Sequence, residues 1–455
     1  MRSSLMKYAA LGMAMILMLT VCTGAVAEHG KRKMETPADA DEWMAVFLGE
    51  HPEELDGIWQ MTSQMEAAAA LSGGIGGLAR QMAALGTAEK ILPAYEGALQ
   101  GYRVYYVPCV FSTVSVDLLL VVQDGAIAGL QTGAYTGGRE ESEPESDTFD
   151  SIELNLPVPS LGELPGILTL PRGDGPFPAV VLLHGSGPSD RDETIGTLKP
   201  FRDLAEGLAG HGIAVYRFDK RTYVYGAELA AKKDISLEDE TIEDAVNAVQ
   251  LLSGQDRIDP ERIFVLGHSL GGNAVPAIAE KLKQAPVKAR GYIMMAASPR
   301  PLDELMREQY DYLYSLLPEI TEAQQAEKDA LFAELDRLKD LDSLREDDTV
   351  AGAYASYWKW LSAYDILQAA EDITEPVLLL QGEEDYQVTM ADFAIWQEAF
   401  GQKANWQLLS YPGLTHLFMP GQKAEGSAAY ARDARVDEQV IQDLAGFILE
   451  DPKKH

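Results

Sequence analysis

The pentapeptide Gly267-His268-Ser269-Leu270-Gly271 lies where a strand-like apolar run, Arg262 to Leu266, gives way to a helical one, Gly272 to Gln284. That junction constrains the fold more than any other feature of the chain. A turn this sharp strains the serine backbone and crowds its neighbours, so both flanking positions need residues without a Cβ. The serine hydroxyl is pushed out beyond the end of the strand. The helix that follows directs its first N–H groups toward negative charge developing at the same place.

The surrounding pattern fits such a junction. Apolar runs of strand length occur at Pro178 to Leu183, Ile213 to Phe218, Tyr292 to Ala296, Val377 to Leu380 and Trp406 to Tyr411. Helical periodicity separates them at Phe201 to Gly210 and Asp239 to Leu252, and a last helix is predicted at Val436 to Leu449. Apolar strands alternating with amphipathic helices predict an α/β fold with a mostly parallel sheet covered on both faces. Ligands of such sheets bind at the carboxyl ends of the strands. Residues 299–365 interrupt the alternation with about three helices' worth of Leu, Glu and aromatic residues, including Tyr310, Tyr312, Tyr314, Phe332, Tyr354, Trp358 and Trp360. A helical insertion there is expected to cover the strand ends as a lid, with its aromatics either lining a pocket or packing on the core.

A serine needs a base to take its proton, usually a histidine held by a carboxylate. The chain has seven histidines. In this architecture serine, acid and histidine follow one another in that order, which leaves His416 and the terminal His455 as bases. His455 closes a Lys-Lys-His tail, whereas His416 ends the Gly/Pro-containing loop Tyr411-Pro412-Gly413-Leu414-Thr415. The acid belongs in the loop after the penultimate core strand, Gly382-Glu383-Glu384-Asp385-Tyr386-Gln387-Val388. Asp385 is the expected acid and Glu384 the next choice. Donors for an oxyanion are worth about 3 to 4 kcal/mol each when correctly aimed. They are expected to be the N–H groups of Leu270, just after the nucleophile, and of Ser186, in His184-Gly185-Ser186-Gly187-Pro188 after the strand Pro178 to Leu183. His184 is expected to brace that loop, and His268 to be structural.

Residues 1–27 read as a signal peptide: Arg2 and Lys7, an apolar run Ala9 to Val21 too short to span a membrane, then Ala25-Val26-Ala27 for cleavage before Glu28. Export to an extracytoplasmic location is expected. An uncleaved anchor is one alternative; Leu19-Thr20-Val21-Cys22 offers lipidation at the cell surface as a second, weakened by Val21 where a small residue usually stands. Once the signal leaves, Cys109 is a lone thiol. Residues 28–138 are predicted to form a small α+β domain, with helices at Asp41 to Leu48, Leu55 to Leu71 and Leu78 to Leu85 before strands at Tyr102 to Phe111, Ser115 to Val122 and Ala126 to Leu130. Gly74-Ile75-Gly76-Gly77 is no dinucleotide fingerprint, because an Ala-rich helix precedes it where a strand is required. Residues 139–150 read as an acidic linker, and 151–455 as the larger domain. Seventy-one acidic residues against 37 basic ones, a formal charge of −34, repel phosphate backbones and exclude nucleic acid as a natural partner. No pair of Cys-x-x-Cys motifs suggests structural zinc.

Taken together, the elbow at Ser269, the His184-Gly185-Ser186-Gly187 loop, the acid turn and the His416 loop occur in the order found in α/β-hydrolases, which residues 151–450 resemble. Leu183 to Glu193, reading LHGSGPSDRDE, and Phe218-Asp219-Lys220-Arg221-Thr222 are similar to runs in exported bacterial serine esterases of the dienelactone-hydrolase-like and acyl-peptidase-like group. The N-terminal region resembles a domain of unknown function that often precedes such hydrolases. The resemblance implies cleavage of a small-molecule carboxylic ester through an acyl-enzyme, with Ser269 attacking, His416 carrying the proton and Asp385 holding the imidazolium, and with no metal or cofactor required. Ser186 stands where many esterases have a third glycine. Two other readings stay open: an exopeptidase using the same residues, with Glu304, Glu308 or Asp311 receiving an amine, although a solvated helix face is the expectation for those acids, and a wall- or glycan-binding role for the N-terminal domain through Trp43 and Trp59, although core packing is the expectation for those tryptophans.

Overall fold

The computed structural model describes residues 31–99, 102–112, 115–133, 146–159, 161–195 and 197–450. The signal segment, His29, Cys22, His455 and most of the linker lie outside them. The chain divides into two compact units, one comprising residues 1–143 and 195–197 and the other residues 144–194 and 198–455.

In the first unit, helices Pro37–Phe47, Ser63–Ser72 and Ile75–Gln81 pack on an antiparallel sheet. Thr36 caps the first helix in a reciprocal box with Asp39. The central strand Tyr102–Phe111 shows why a sheet forms: alternate side chains Tyr105, Val107, Cys109 and Phe111 join the helix-facing core, while Val104 joins a smaller cluster with Leu119 and Val121 on the other face. The predicted helix at Leu55 to Leu71 starts instead at Ser63. Thr62 accepts the Met65 N–H as its cap, and Met61 is held in a β-bridge to Ile127. Trp43 and Trp59 are 1% and 2% exposed. They are core residues, the preferred of the two readings of these tryptophans, and so present no sugar-binding surface. Cys109 is also buried, and that burial pushes its thiol up to about 12.

The second unit is built on eight strands: β1 Phe149–Glu153, β2 Gly166–Pro171, β3 Phe177–Leu183, β4 Ala214–Phe218, β5 Ile258–His268, β6 Gly291–Met295, β7 Val377–Gly382 and β8 Trp406–Tyr411. Their spatial order is β8-β7-β6-β5-β3-β4-β2-β1. The six from β3 to β8 run parallel, and β2 and β1 are added antiparallel at one edge. Strands β6 and β7 are buried along their whole length, as the near-continuous runs Tyr-Ile-Met-Met and Val-Leu-Leu-Leu require in a sheet covered on both faces. Helices Pro200–Gly210, Glu243–Ser253, Leu270–Gln284, Met390–Phe400 and Glu438–Leu449 flank the sheet. This is the predicted α/β-hydrolase arrangement, preceded by a small antiparallel-sheet unit.

Residues 299–365 form helices Leu302–Ser315, Glu322–Asp336 and Ala355–Ala363 with a short hairpin between the last two. The insertion carries its own small core of Leu335, Leu344, Val350, Ala355 and Trp358. Trp358 belongs to that core, and Tyr314 and Tyr357 are also buried. Tyr312 is partly exposed and stacks at 5.8 Å on Tyr386 of the acid turn.

Candidate active site

Ser269 follows the last residue of β5 and precedes the first turn of helix Leu270–Gln284, at φ +53° and ψ −118°. A non-glycine residue with this φ is strained, and the surrounding contacts show what holds it there. A Cβ on Gly267 would lie 2.2 Å from the Gly271 carbonyl oxygen, and one on Gly271 would lie 2.5 and 2.6 Å from those of Leu183 and His184. Both obstacles are main chain and cannot rotate away. The elbow glycines let β5, its helix and the end of β3 approach one another.

The loops after β7 and β8 are sewn together in the same manner. Glu383 N–H donates to the Tyr411 carbonyl and Glu384 N–H to that of Leu414. A Cβ on Gly382 would meet the Leu414 and Thr415 carbonyl oxygens at 2.5 Å. This close approach brings His416 Nδ1 to 2.6 Å from Asp385 Oδ2, with both residues buried. Asp385 Oδ1 accepts the N–H groups of Gln387 at 2.7 Å and Val388 at 3.0 Å, and Oδ2 also accepts Gln381 Nε2 at 3.2 Å. The other two carboxylates of the turn are engaged elsewhere: Glu383 accepts the Ser410 hydroxyl and Glu384 the Lys423 N–H. Of the three neighbouring acids, Asp385 is the one that reaches the imidazole.

His416 is tied to the elbow through His268. The two rings lie 4.7 Å apart, and His268 Nε2 is 2.9 Å from the His416 carbonyl oxygen. Thus Ser269, the neighbour of His268 in sequence, His416 and Asp385 are gathered at the carboxyl ends of β5, β8 and β7. His268 Nδ1 lies 2.9 Å from Glu193 Oε2, within ion-pair distance though off the line of a good hydrogen bond. Burial works against charge on both partners. Their mutual attraction prevails, raising His268 and lowering Glu193 from their ordinary values.

The loop after β3 places Ser186 at the surface. Gly185 N–H is taken by Glu193 Oε1 at 2.6 Å, whereas among the described residues no protein acceptor takes Ser186 N–H. Leu270 N–H, first in its helix, has no intrahelical acceptor. His184 braces the loop: its Nε2 is 2.8 Å from the Asp190 carbonyl oxygen, and its ring packs on Phe201 and Phe218. The two runs singled out in the sequence interlock through Arg191 with Asp219, while Arg217, just before the second run, bonds Asp192. Sequence reasoning gave no role to Lys220 or Glu193. The available signal was a lysine two residues past the end of a buried strand, where burial has to be compensated.

Of the acids considered for amine recognition, Glu308 pairs with Arg300 and Asp311 with Lys328, leaving Glu304 exposed. Among the described residues no group of three or more His, Cys, Asp or Glu side chains is arranged to hold a metal ion, and no helix is long and apolar enough to cross a membrane.

Residues 176–421, just over half of the chain, match the family described as serine aminopeptidase, S33. An esterase of Thermotoga maritima, EstD, is 37% identical over 364 residues, covering 79% of this chain and 82% of the relative. Among solved structures, Est1E from Butyrivibrio proteoclasticus aligns with a TM-score of 0.42 at 16% identity, over 64% of this chain and 99% of that one. A puromycin-hydrolysing peptidase from Mycobacterium tuberculosis aligns with a TM-score of 0.44 at 17% identity, over 76% of this chain and 45% of that one.

Proposed function

The chain belongs to the serine aminopeptidase S33 family of α/β-hydrolases, and from that membership we propose that it hydrolyses small-molecule carboxylic esters through Ser269, His416 and Asp385. The observation that carries the reading is the buried 2.6 Å contact between His416 Nδ1 and Asp385 Oδ2 beside a strained serine elbow. With Nδ1–H donated to the carboxylate, Nε2 is the nitrogen left to accept a proton. In acylation Ser269 Oγ bonds to the ester carbonyl carbon while its proton passes to His416 Nε2. The carbonyl electrons move onto oxygen, where the N–H groups of Leu270 and Ser186 receive them. Collapse breaks the bond to the alcohol, which leaves with the proton from His416. Water repeats the sequence on the acyl-enzyme, releasing the acid and restoring Ser269.

Ester cleavage is preferred to exopeptidase action because Glu308 and Asp311 are already paired to cations, and because the 37% identical relative bears the name esterase. Hydrolysis of p-nitrophenyl acetate and butyrate by the wild type, abolished in Ser269→Ala, is the expected result. Equal rates in both proteins reject the reading, and faster turnover of aminoacyl-p-nitroanilides than of the esters favours the peptidase instead. Export is proposed on residues 1–27 alone. It predicts a mature protein beginning at Glu28, and N-terminal sequencing that returns an intact leader in a secreting host refutes it.

A further inference from the structure

Gly185 is gripped from both sides by buried charged groups that the reaction itself does not use. Its N–H donates to Glu193 Oε1 at 2.6 Å, and its carbonyl accepts Lys220 Nζ at 2.7 Å, with the Gly187 carbonyl accepting the same Nζ at 3.1 Å. Lys220 and Glu193 are 3% and 4% exposed. Burying charges of either sign is expensive, and here they hold the main chain of an otherwise exposed loop. The Gly185 carbonyl and the Ser186 N–H share one trans peptide plane and therefore point in opposite directions. Drawing the carbonyl inward onto Lys220 turns the Ser186 N–H outward. The loop also lies against the nucleophile: a Cβ on Gly185 would sit 3.1 Å from Ser269 Cβ.

We propose that Lys220 and Glu193 are positioning residues of the oxyanion site, acting through the main chain of Gly185 to hold the Ser186 N–H toward the oxygen that becomes negative. The inference rests on the acyl-transfer reading above. Glu193 serves a second loop as well, because its other oxygen faces His268 Nδ1 at 2.9 Å and His268 Nε2 lies 2.9 Å from the His416 carbonyl. One carboxylate thus fixes both the loop with the oxyanion donor and the loop with the base. Lys220 is anchored in turn by Glu240 at 2.5 Å, and Glu240 accepts the hydroxyl of Tyr357 from the helical insertion at 2.7 Å.

The test uses the full chain. Lys220→Met combined with Glu240→Gln removes the cation together with its partner, so no unpaired charge is left buried. Lys220→Gln, made in the same Glu240→Gln background, keeps a neutral donor near the Gly185 carbonyl and serves if the Lys220→Met variant does not fold. Circular dichroism and Tm establish folding. kcat and KM for p-nitrophenyl acetate are then compared with inhibition by a trifluoromethyl ketone, whose serine adduct carries the tetrahedral oxyanion.

The proposal expects kcat to fall roughly 10- to 100-fold in the Lys220→Met double variant and in Glu193→Gln, with a smaller loss in Lys220→Gln. KM should stay within about twofold, and ketone affinity should weaken by the same factor as kcat/KM. A folded variant, Lys220→Met or Lys220→Gln, that keeps kcat and ketone affinity at the wild-type values overturns the proposal. So does a loss that appears in Tm and KM without the split in kcat. Failure of the underlying reading looks different, since Ser269→Ala would then retain activity whatever Lys220 variants do.

Discussion

Replacing Asp385 by asparagine changes almost no volume, yet the hydrogen bonds around it dictate a large effect. Oδ1 accepts two main-chain N–H groups, from Gln387 and Val388, and Oδ2 accepts Gln381 Nε2 and faces His416 Nδ1. An amide keeps its oxygen toward the two main-chain donors, because its NH2 group there would oppose N–H with N–H. The NH2 group must then face His416 and donate to Nδ1. The imidazole is left with its proton on Nε2, the nitrogen that has to accept one from Ser269. In serine–histidine–aspartate enzymes a wrong tautomer of this kind lowers kcat by roughly 10⁴, which is about 5 kcal/mol of barrier. Steady-state hydrolysis of p-nitrophenyl butyrate at neutral pH, with denaturant melts to verify folding, measures it. A folded Asp385→Asn protein within tenfold of wild-type kcat refutes the reasoning.

Gly271→Ala should destabilise the protein by about 1–3 kcal/mol, since the new methyl meets the Leu183 and His184 carbonyl oxygens at 2.5 and 2.6 Å; urea melts check this, and an unchanged midpoint contradicts it. Burial, which disfavours the imidazolium, holds His184 down at about 4 against an ordinary 6.5. Between those values the unfolded chain binds a proton that the folded one refuses, so this contribution is complete above pH 6.5 and is lost as pH falls toward 4. The loss is up to about 3 kcal/mol. His184→Asn should flatten the dependence of unfolding free energy on pH across that window, and parallel curves refute the assignment. Asp203 has the opposite sign: burial raises its carboxyl to about 6 from 3.8, so its contribution is present at low pH and lost as pH rises through 6. Asp203→Asn should remove that decline while its amide oxygen still accepts the Val436 N–H.

Elements whose chemistry is local were legible in the sequence. The six parallel strands announce themselves as apolar runs because both faces are buried, and the elbow does so because only glycine tolerates the approaches at 267 and 271. The outermost strands were not legible. Phe149–Glu153 ends in two exposed residues, and Ala88–Ile91 in the first unit shows two exposed residues of four, so neither carries an apolar run; Gly166–Pro171 is buried along its length, but it is short and bounded by Gly and Pro. For Asp385, Ser269 and His416 the motif spacing named the residues, Gly382-x-x-Asp385-x-x-Val388 favouring Asp385 over Glu384, and the paired loops after β7 and β8 place Asp385 against the imidazole. The support beneath them was hidden for a different reason. Lys220 meets the Gly185 carbonyl across 35 positions, and Glu193 meets His268 across an even longer stretch of chain. Contacts of that range leave no periodicity to read. The burial of Trp43 and Trp59 likewise depends on strands and helices of the first unit converging on them.

Reaction of the full chain with a fluorophosphonate, followed by peptide mapping of the adduct, tests the assignment of the nucleophile most directly. The account predicts one adduct per chain on Ser269, loss of ester hydrolysis in parallel with its formation, no such adduct in Ser269→Ala and much slower labelling in His416→Ala. Stoichiometric labelling of a different residue, or full hydrolytic activity in a protein whose Ser269 is blocked, contradicts it.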